Sequence, residues 1–186
     1  KSSEILSEIN DESIKDDEFH FKLGYSLFTQ EKHDDAKYHF YKVKDKDGRY
    51  KSLSLYYYAH INYTQKMYNK SLSNFKLLKD DKTFSGIVPY YITQIYFGLE
   101  KYNELTNYAV PILDNVISSR EEEVNRLVSE SYFNLSDYEN AEIYFRRYLE
   151  ISETHKIEDY FQMGQINIFL EDYEEAIFYL EKVENA

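Results

Sequence analysis

Apolar residues along the chain return every three or four positions, the spacing that places them on one side of a helix. The pattern is clearest from five small or apolar positions: Ala36, Ser71, Leu105, Ala141 and Ala176. Four residues later stand Phe40, Phe75, Ala109, Phe145 and Leu180, and seven later Val43, Leu78, Ile112, Tyr148 and Val183. These three columns share one helical face. Three residues before the first column are His33, Tyr68, Tyr102, Tyr138 and Tyr173. Twelve before it, in a second apolar segment, are Gly24, Ala59, Thr93, Ser129 and Gly164, all small or β-branched.

Successive copies lie 35, 34, 36 and 35 residues apart. Near the end the repetition is literal, since Leu135-Ser136-Asp137-Tyr138-Glu139-Asn140-Ala141 is echoed by Leu170-Glu171-Asp172-Tyr173-Glu174-Glu175-Ala176. A period in the mid-thirties is the sequence signature of stacked helical repeats. It predicts helix–turn–helix units over about 17–50, 52–85, 86–120, 122–155 and 157–186, with the small column letting paired helices approach closely. Residues 1–12, with Ile5, Leu6 and Ile9 after Ser2-Ser3, read equally well as a capping segment or as the tail of an earlier repeat.

Leu23-Gly24, the alanine column and the aromatic four residues after it resemble the tetratricopeptide repeat family, over residues 13–186. The resemblance, which extends to bacterial scaffold and adaptor proteins of that family, implies an all-α, right-handed superhelical solenoid of about five repeats. Two departures affect local packing: Leu105 and Ala109 exchange sizes, and His33 stands where a tyrosine is usual.

The breakers fit this frame. Gly98 is expected in the turn inside the third unit, and Gly48 and Gly86 between units. Pro89 suits a first helical turn, where its missing N–H is harmless. Pro111 is expected to kink the second helix of the third unit, because it removes a hydrogen bond and clashes with the preceding turn.

Composition narrows the reading. Only 5 Gly and 2 Pro in 186 residues argue against an all-β fold, while 21 Tyr and 12 Phe supply ample core for an ordered chain. The net charge of −12 opposes phosphate backbones and anionic membrane surfaces, so no nucleic-acid partner is expected. No apolar run of ~18 residues predicts direct membrane insertion. Zero Cys excludes disulfides, thiolate-bound zinc and a thiol nucleophile. The chain begins at Lys1 without a signal-peptide pattern, which a removed leader or a trimmed parent would equally produce.

Candidate chemistry is sparse. The five histidines form no HExxH and no i,i+4 pair, so no metal site is expected from spacing. Asp45-Lys46-Asp47-Gly48 echoes a calcium loop, but Val43 and Ser54 occupy its first and twelfth positions, which leaves an inter-repeat turn. Glu121-Glu122-Glu123 is read as a helix start that offsets the dipole. Without a phosphate loop or a nucleophile motif, no catalytic residue, enzyme activity or cofactor is expected.

The family resemblance places binding on the first helix of each unit, where extended segments of a partner protein or peptide lie in a concave groove. The groove columns are Phe21, Tyr56, Tyr90, Arg126 and Phe161; Tyr25, His60, Gln94, Glu130 and Gln165; and Phe28, Tyr63, Phe97, Phe133 and Ile168. The partner-binding set drawn from them is Phe21, Tyr25, Tyr56, His60, Tyr63, Tyr90, Gln94, Phe97, Arg126 and Glu130. It lacks the Lys and Asn set with which carboxylate-clamp variants of the family hold a peptide's C-terminus. Aromatics with polar tips suit recognition, yet rings in a tight solenoid also pack against one another, and both readings stand at this stage. Tyr56-Tyr57-Tyr58 cannot all face the core, so at least one is expected to be exposed or covered by a partner. Phe178, Leu180 and Val183 stand uncapped on the last helix, as they would if the chain were cut from a longer array or docked there. Self-assembly through such open ends is the alternative to partner binding. The tyrosine-rich stretch 50–102 looks like long repeat proteins of bacterial cell envelopes, which favours periplasm or envelope over cytoplasm.

Overall fold

Asp16 opens the first helix with a side-chain oxygen that accepts the Phe19 N–H at 2.8 Å, one of the orphan donors of a helix start. The same device recurs at Asp137, which accepts from Asn140 N at 3.2 Å, and at Asp172, which accepts from Glu175 N at 3.1 Å. The computed structural model describes residues 16–115 and 118–184; the segment 1–12 lies outside them. Within them the helices are α1 (Asp17–Phe28), α2 (His33–Tyr41), α3 (Lys51–Thr64), α4 (Tyr68–Lys76), α5 (Val88–Gly98), α6 (Tyr102–Ala109), α7 (Ser118–Asn134), α8 (Tyr138–Ile151), α9 (Ile157–Phe169) and α10 (Tyr173–Glu184). No strand occurs among the described residues. The architecture is an all-α repeat fold.

The chain divides after Val88 into two compact units. In the first, α1 pairs with α2 and α3 with α4, and α2 also packs on α3. In the second, α7 pairs with α8 and α9 with α10, with α6 on α7 and α8 on α9 joining neighbours.

The columns read from the sequence lie in the packed interior of the hairpins. Ala36, Ser71, Leu105, Ala141 and Ala176 are buried, as are Phe40, Phe75, Ala109 and Phe145. The small column sits opposite them and makes the close approach possible. A Cβ on Gly24 would lie 3.1 Å from the Phe40 ring, and one on Gly164 would lie 2.7 Å from Leu180. Of the two hydroxyls in that column, Thr93 Oγ1 donates within its own helix to the Pro89 carbonyl at 2.9 Å, and Ser129 Oγ donates across the pair to the Ala141 carbonyl at 2.6 Å. Ser71 Oγ donates the other way, to the Ala59 carbonyl at 2.8 Å.

The turns inside the hairpins share one geometry that the sequence does not announce. Glu31, Lys66, Glu100, Ser136 and Glu171 all have φ between 56° and 61°, the left-handed region. At each, the residue's own N–H reaches back three positions and the next N–H reaches back five, as in Lys66 to Tyr63 (2.9 Å) and Met67 to Asn62 (2.8 Å). This is the Schellman ending, which usually places glycine at the left-handed position. Here none of the five is glycine. An L-residue in that conformation carries a penalty of roughly 1–2 kcal/mol, part of which glycine returns as unfolded-state entropy. Substituting glycine at Glu31, Lys66 or Glu100 is therefore expected to stabilise the chain by about 0.5–1 kcal/mol each, read as a rise in the urea midpoint with an unchanged slope.

The structure corrects three local expectations. Gly98 is the last residue of α5, and the left-handed turn position is Glu100. Of the glutamate triplet only Glu121 lies in the first turn of α7, which begins earlier at Ser118. None of Tyr56, Tyr57 and Tyr58 is exposed, because loop residue Phe84 stacks on Tyr56 with centroids 4.4 Å apart. Phe40 stacks on Tyr57 at 5.2 Å, and Tyr58 is buried beside Tyr41. Pro111 acts as expected: the α-helix stops at Ala109 and the chain continues as a 3-10 helix over Val110–Asn115.

Candidate functional site

In the first unit the expected groove residues form an aromatic layer on α1 and α3. Phe21 stacks on Tyr50 at 4.9 Å and leans on Phe40 and Tyr57 at 6.1 and 6.4 Å. Tyr25 meets the edge of Tyr57 at 5.5 Å and hydrogen-bonds to it, yet keeps 45% of its surface exposed. Tyr56 is half-covered by Phe84, with Phe75 at its edge 6.0 Å away. His60 lies one turn further on α3, half-buried against Phe28 at 5.8 Å, and Tyr63 lies 6.1 Å from Tyr68. Four of these five side chains spend much of their surface on neighbours. Tyr25 offers the most to solvent.

Burial holds the His60 pKa below the usual histidine value, and nearby His33 lowers it further. A histidine depressed in the folded state takes up its proton first in the unfolded chain, so stability falls as pH drops below about 6.5. Glu18, Asp34 and Asp47 are depressed carboxylates that act lower on the pH scale. Between pH 7.5 and 5.5 the denaturation midpoint is expected to fall, and His60→Gln is expected to flatten that fall.

In the second unit the first helices are tied by polar contacts. The buried Tyr90 hydroxyl of α5 donates to Glu123 Oε2 of α7 at 2.8 Å, and Gln94 donates to the Tyr90 oxygen at 3.3 Å and to the same carboxylate. The Arg120 guanidinium covers the Tyr90 ring at 4.8 Å. Phe97 rests against Tyr102 at 5.8 Å. Arg126 and Glu130 pair along α7. Burial raises the Glu130 pKa, against the opposing pull of Arg126.

Between the opening turns of α7 and α9 lies a cleft of about 700 Å³. Arg120, Glu122 and Arg126 line one wall, and Lys156, Glu158, Asp159 and Gln162 the other, with Tyr148 at the back. Asp159 is buried, accepts the Lys156 N–H at 2.7 Å, and accepts from the Tyr148 hydroxyl. Burial and that carboxylate push the Tyr148 pKa up to about 12, so the phenol stays a neutral donor. Of the expected binding residues only Arg126 lines this cleft. Reading the sequence missed Asp159, although its column carried a signal. The other members are Phe19, Ser54, Val88 and Val124, all buried, and a carboxylate among them marks a polar exception.

The sequence profile of the tetratricopeptide repeat matches residues 127–155 and 160–185. Among curated proteins none matches the chain by sequence. Similar solved structures include YrrB, described as a TPR protein with an unusual peptide-binding site, at 15% identity and a TM-score of 0.77 over 98% of this chain and 92% of that one. MamA from Desulfovibrio magneticus RS-1 is similar at 13% identity and a TM-score of 0.70, over 91% of this chain and 93% of that one. BtubC from P. vanneervenii is similar at 13% identity and a TM-score of 0.66, over 90% of this chain and 78% of that one. At such identities the likeness carries the fold. The chain therefore carries tetratricopeptide repeats, matched by sequence in its second unit, within an all-α repeat fold shared with other tetratricopeptide-repeat proteins.

Proposed function

We propose that the protein is a non-catalytic scaffold that holds a segment of a partner protein against the first helices of its repeats. The observation that carries this reading is the cleft of about 700 Å³ between α7 and α9, which is wide enough for side chains of an extended segment. Its walls carry charge of both signs, so the segment it suits is polar. On the first unit the offered surface is the aromatic layer of Phe21, Tyr25, Tyr56, His60 and Tyr63, met at its edges and at the exposed Tyr25 ring. Tyr90, Gln94, Phe97 and Glu130 support the second unit's binding face. No helix among the described residues is long and apolar enough to cross a membrane. The expected place of work is the bacterial cell envelope, which fractionation of source cells tests.

A photo-reactive residue at Gln162 examines the cleft directly, against the same group at the exposed Arg147 of α8. In source-cell extract the reading expects a protein adduct at Gln162 that Arg147 does not give. Identical adducts at both positions would overturn it.

A second reading rests on α10, where Tyr173, Ile177 and Phe178 are 61%, 57% and 52% exposed. Self-assembly through that apolar face would appear as mass that rises with concentration in light scattering. Ile177→Glu would abolish the rise.

A further inference from the structure

The first hairpin holds a pair of side chains that partner binding does not use. His20 on α1 and His39 on α2 are 19 residues apart in sequence, and the fold brings their Nδ1 atoms to 2.9 Å. Their rings lie 5.2 Å apart, centroid to centroid. The cause is one turn along α1, at Gly24. A Cβ there would stand 3.2 Å from the His39 Cβ, so the missing side chain is what lets α2 come close enough for the imidazoles to meet.

We propose that His20 and His39 form a two-histidine clamp for a divalent transition-metal ion of the copper–zinc group. Two nitrogens bound to a tetrahedral ion at about 2.0–2.1 Å stand about 3.3 Å apart. The pair, 2.9 Å apart with ring centroids at 5.2 Å, faces head-on, and it reaches that geometry by a movement of a few tenths of an ångström and a tilt of both rings off the line between them. Both ligands sit on helices packed against each other, and rotation about their side-chain torsions supplies the tilt.

Proton bookkeeping is simple. In the metal-free pair one Nδ1 carries a hydrogen and donates it to the other. Binding replaces that shared hydrogen by the ion, and the displaced proton returns to Nε2 of the same ring. Both imidazoles remain neutral ligands, and the change is a tautomer shift without net proton release. Among the described residues no three His, Cys, Asp or Glu side chains converge as a cage, so water completes the coordination shell. Imidazole ligation selects copper, zinc and nickel over calcium and magnesium, which take oxygen. Both histidines are half-buried, so an ion reaches them from solvent. Once bound, it ties α1 to α2.

The test is titration of the tag-free chain with Cu²⁺ and with Zn²⁺ by calorimetry, joined to electron paramagnetic resonance of the copper complex. The expected result is one equivalent bound, two nitrogen ligands in the copper spectrum, and a thermal transition that rises with added zinc. His20→Gln and His39→Gln should each weaken binding at least about tenfold, while His155→Gln leaves it unchanged. Circular dichroism confirms that the variants stay helical, and the copper spectrum of the intact chain stands independent of any variant. Binding unaltered in both clamp variants, a copper spectrum with oxygen ligands alone, or no saturation below millimolar metal would each overturn the clamp.

Discussion

Replacing Phe145 by alanine is expected to lower the stability of the second unit by about 3–5 kcal/mol. Phe145 has no exposed surface and belongs to a core formed by Ala141, Tyr148, Met163, Ile166 and Tyr179. Removing the ring leaves a cavity bounded by α8, α9 and α10, and helices already in close contact cannot slide inward to fill it. The loss combines the transfer free energy of the ring with the cavity left behind. Urea unfolding followed by circular dichroism checks it, with the midpoint shift read at constant slope. A change below about 1 kcal/mol would mean that the hairpin collapses onto the space. Phe145→Leu keeps most of the volume and is expected to lose far less.

The second large effect is expected at Gly24, and it runs in the opposite steric direction. Gly24→Leu should open the α1–α2 hairpin and destabilise the first unit by about 3 kcal/mol, at the upper end of overpacking effects. A single added Cβ would already stand 3.1 Å from the Phe40 ring and 3.2 Å from the His39 Cβ. The three further carbons of leucine must displace a ring that is fully buried. Pairing Gly24→Leu with Phe40→Ala supplies the space and should recover part of the loss. The double variant would then be less destabilised than the sum of the two singles, a coupling that measures the contact itself. If the losses simply add, the two side chains do not compete for one volume.

The pairing of Gly24 with Phe40 was legible in the chain because both belong to columns that recur five times in register. Reading such columns needs only the helical period and the rule that close helices require small residues, and both are local properties of the backbone. The same logic marked Pro111 as a kink in its helix, where the structure passes from α-helix to 3-10 helix, since the missing N–H is a property of one residue. The five left-handed turn residues were not legible. Glu31, Lys66, Glu100, Ser136 and Glu171 share a position but no residue preference for φ > 0, and the packing of the two helices imposes the conformation.

The binding surface was legible to a lesser degree. Column spacing places Phe21, Tyr25, Tyr56, His60 and Tyr63 on first helices, but it cannot say how much of each ring a neighbour covers. That depends on loop residues such as Phe84 and Tyr50, which belong to no column. The Tyr90–Gln94–Glu123 network likewise joins residues up to 33 positions apart, and nothing in their local sequence marks them as partners.

The helical state, the period in the mid-thirties, the small and apolar columns that prove buried and the lack of cysteine were all readable from the chain alone. These follow from periodicity and composition, which act over a few residues or over the whole chain without reference to shape. Tertiary structure alone decided which aromatics are packing and which are surface, where a charged cleft opens between α7 and α9, and that His20 meets His39. Each of those depends on distances across helices, set by side-chain volumes at contacts far apart in the chain.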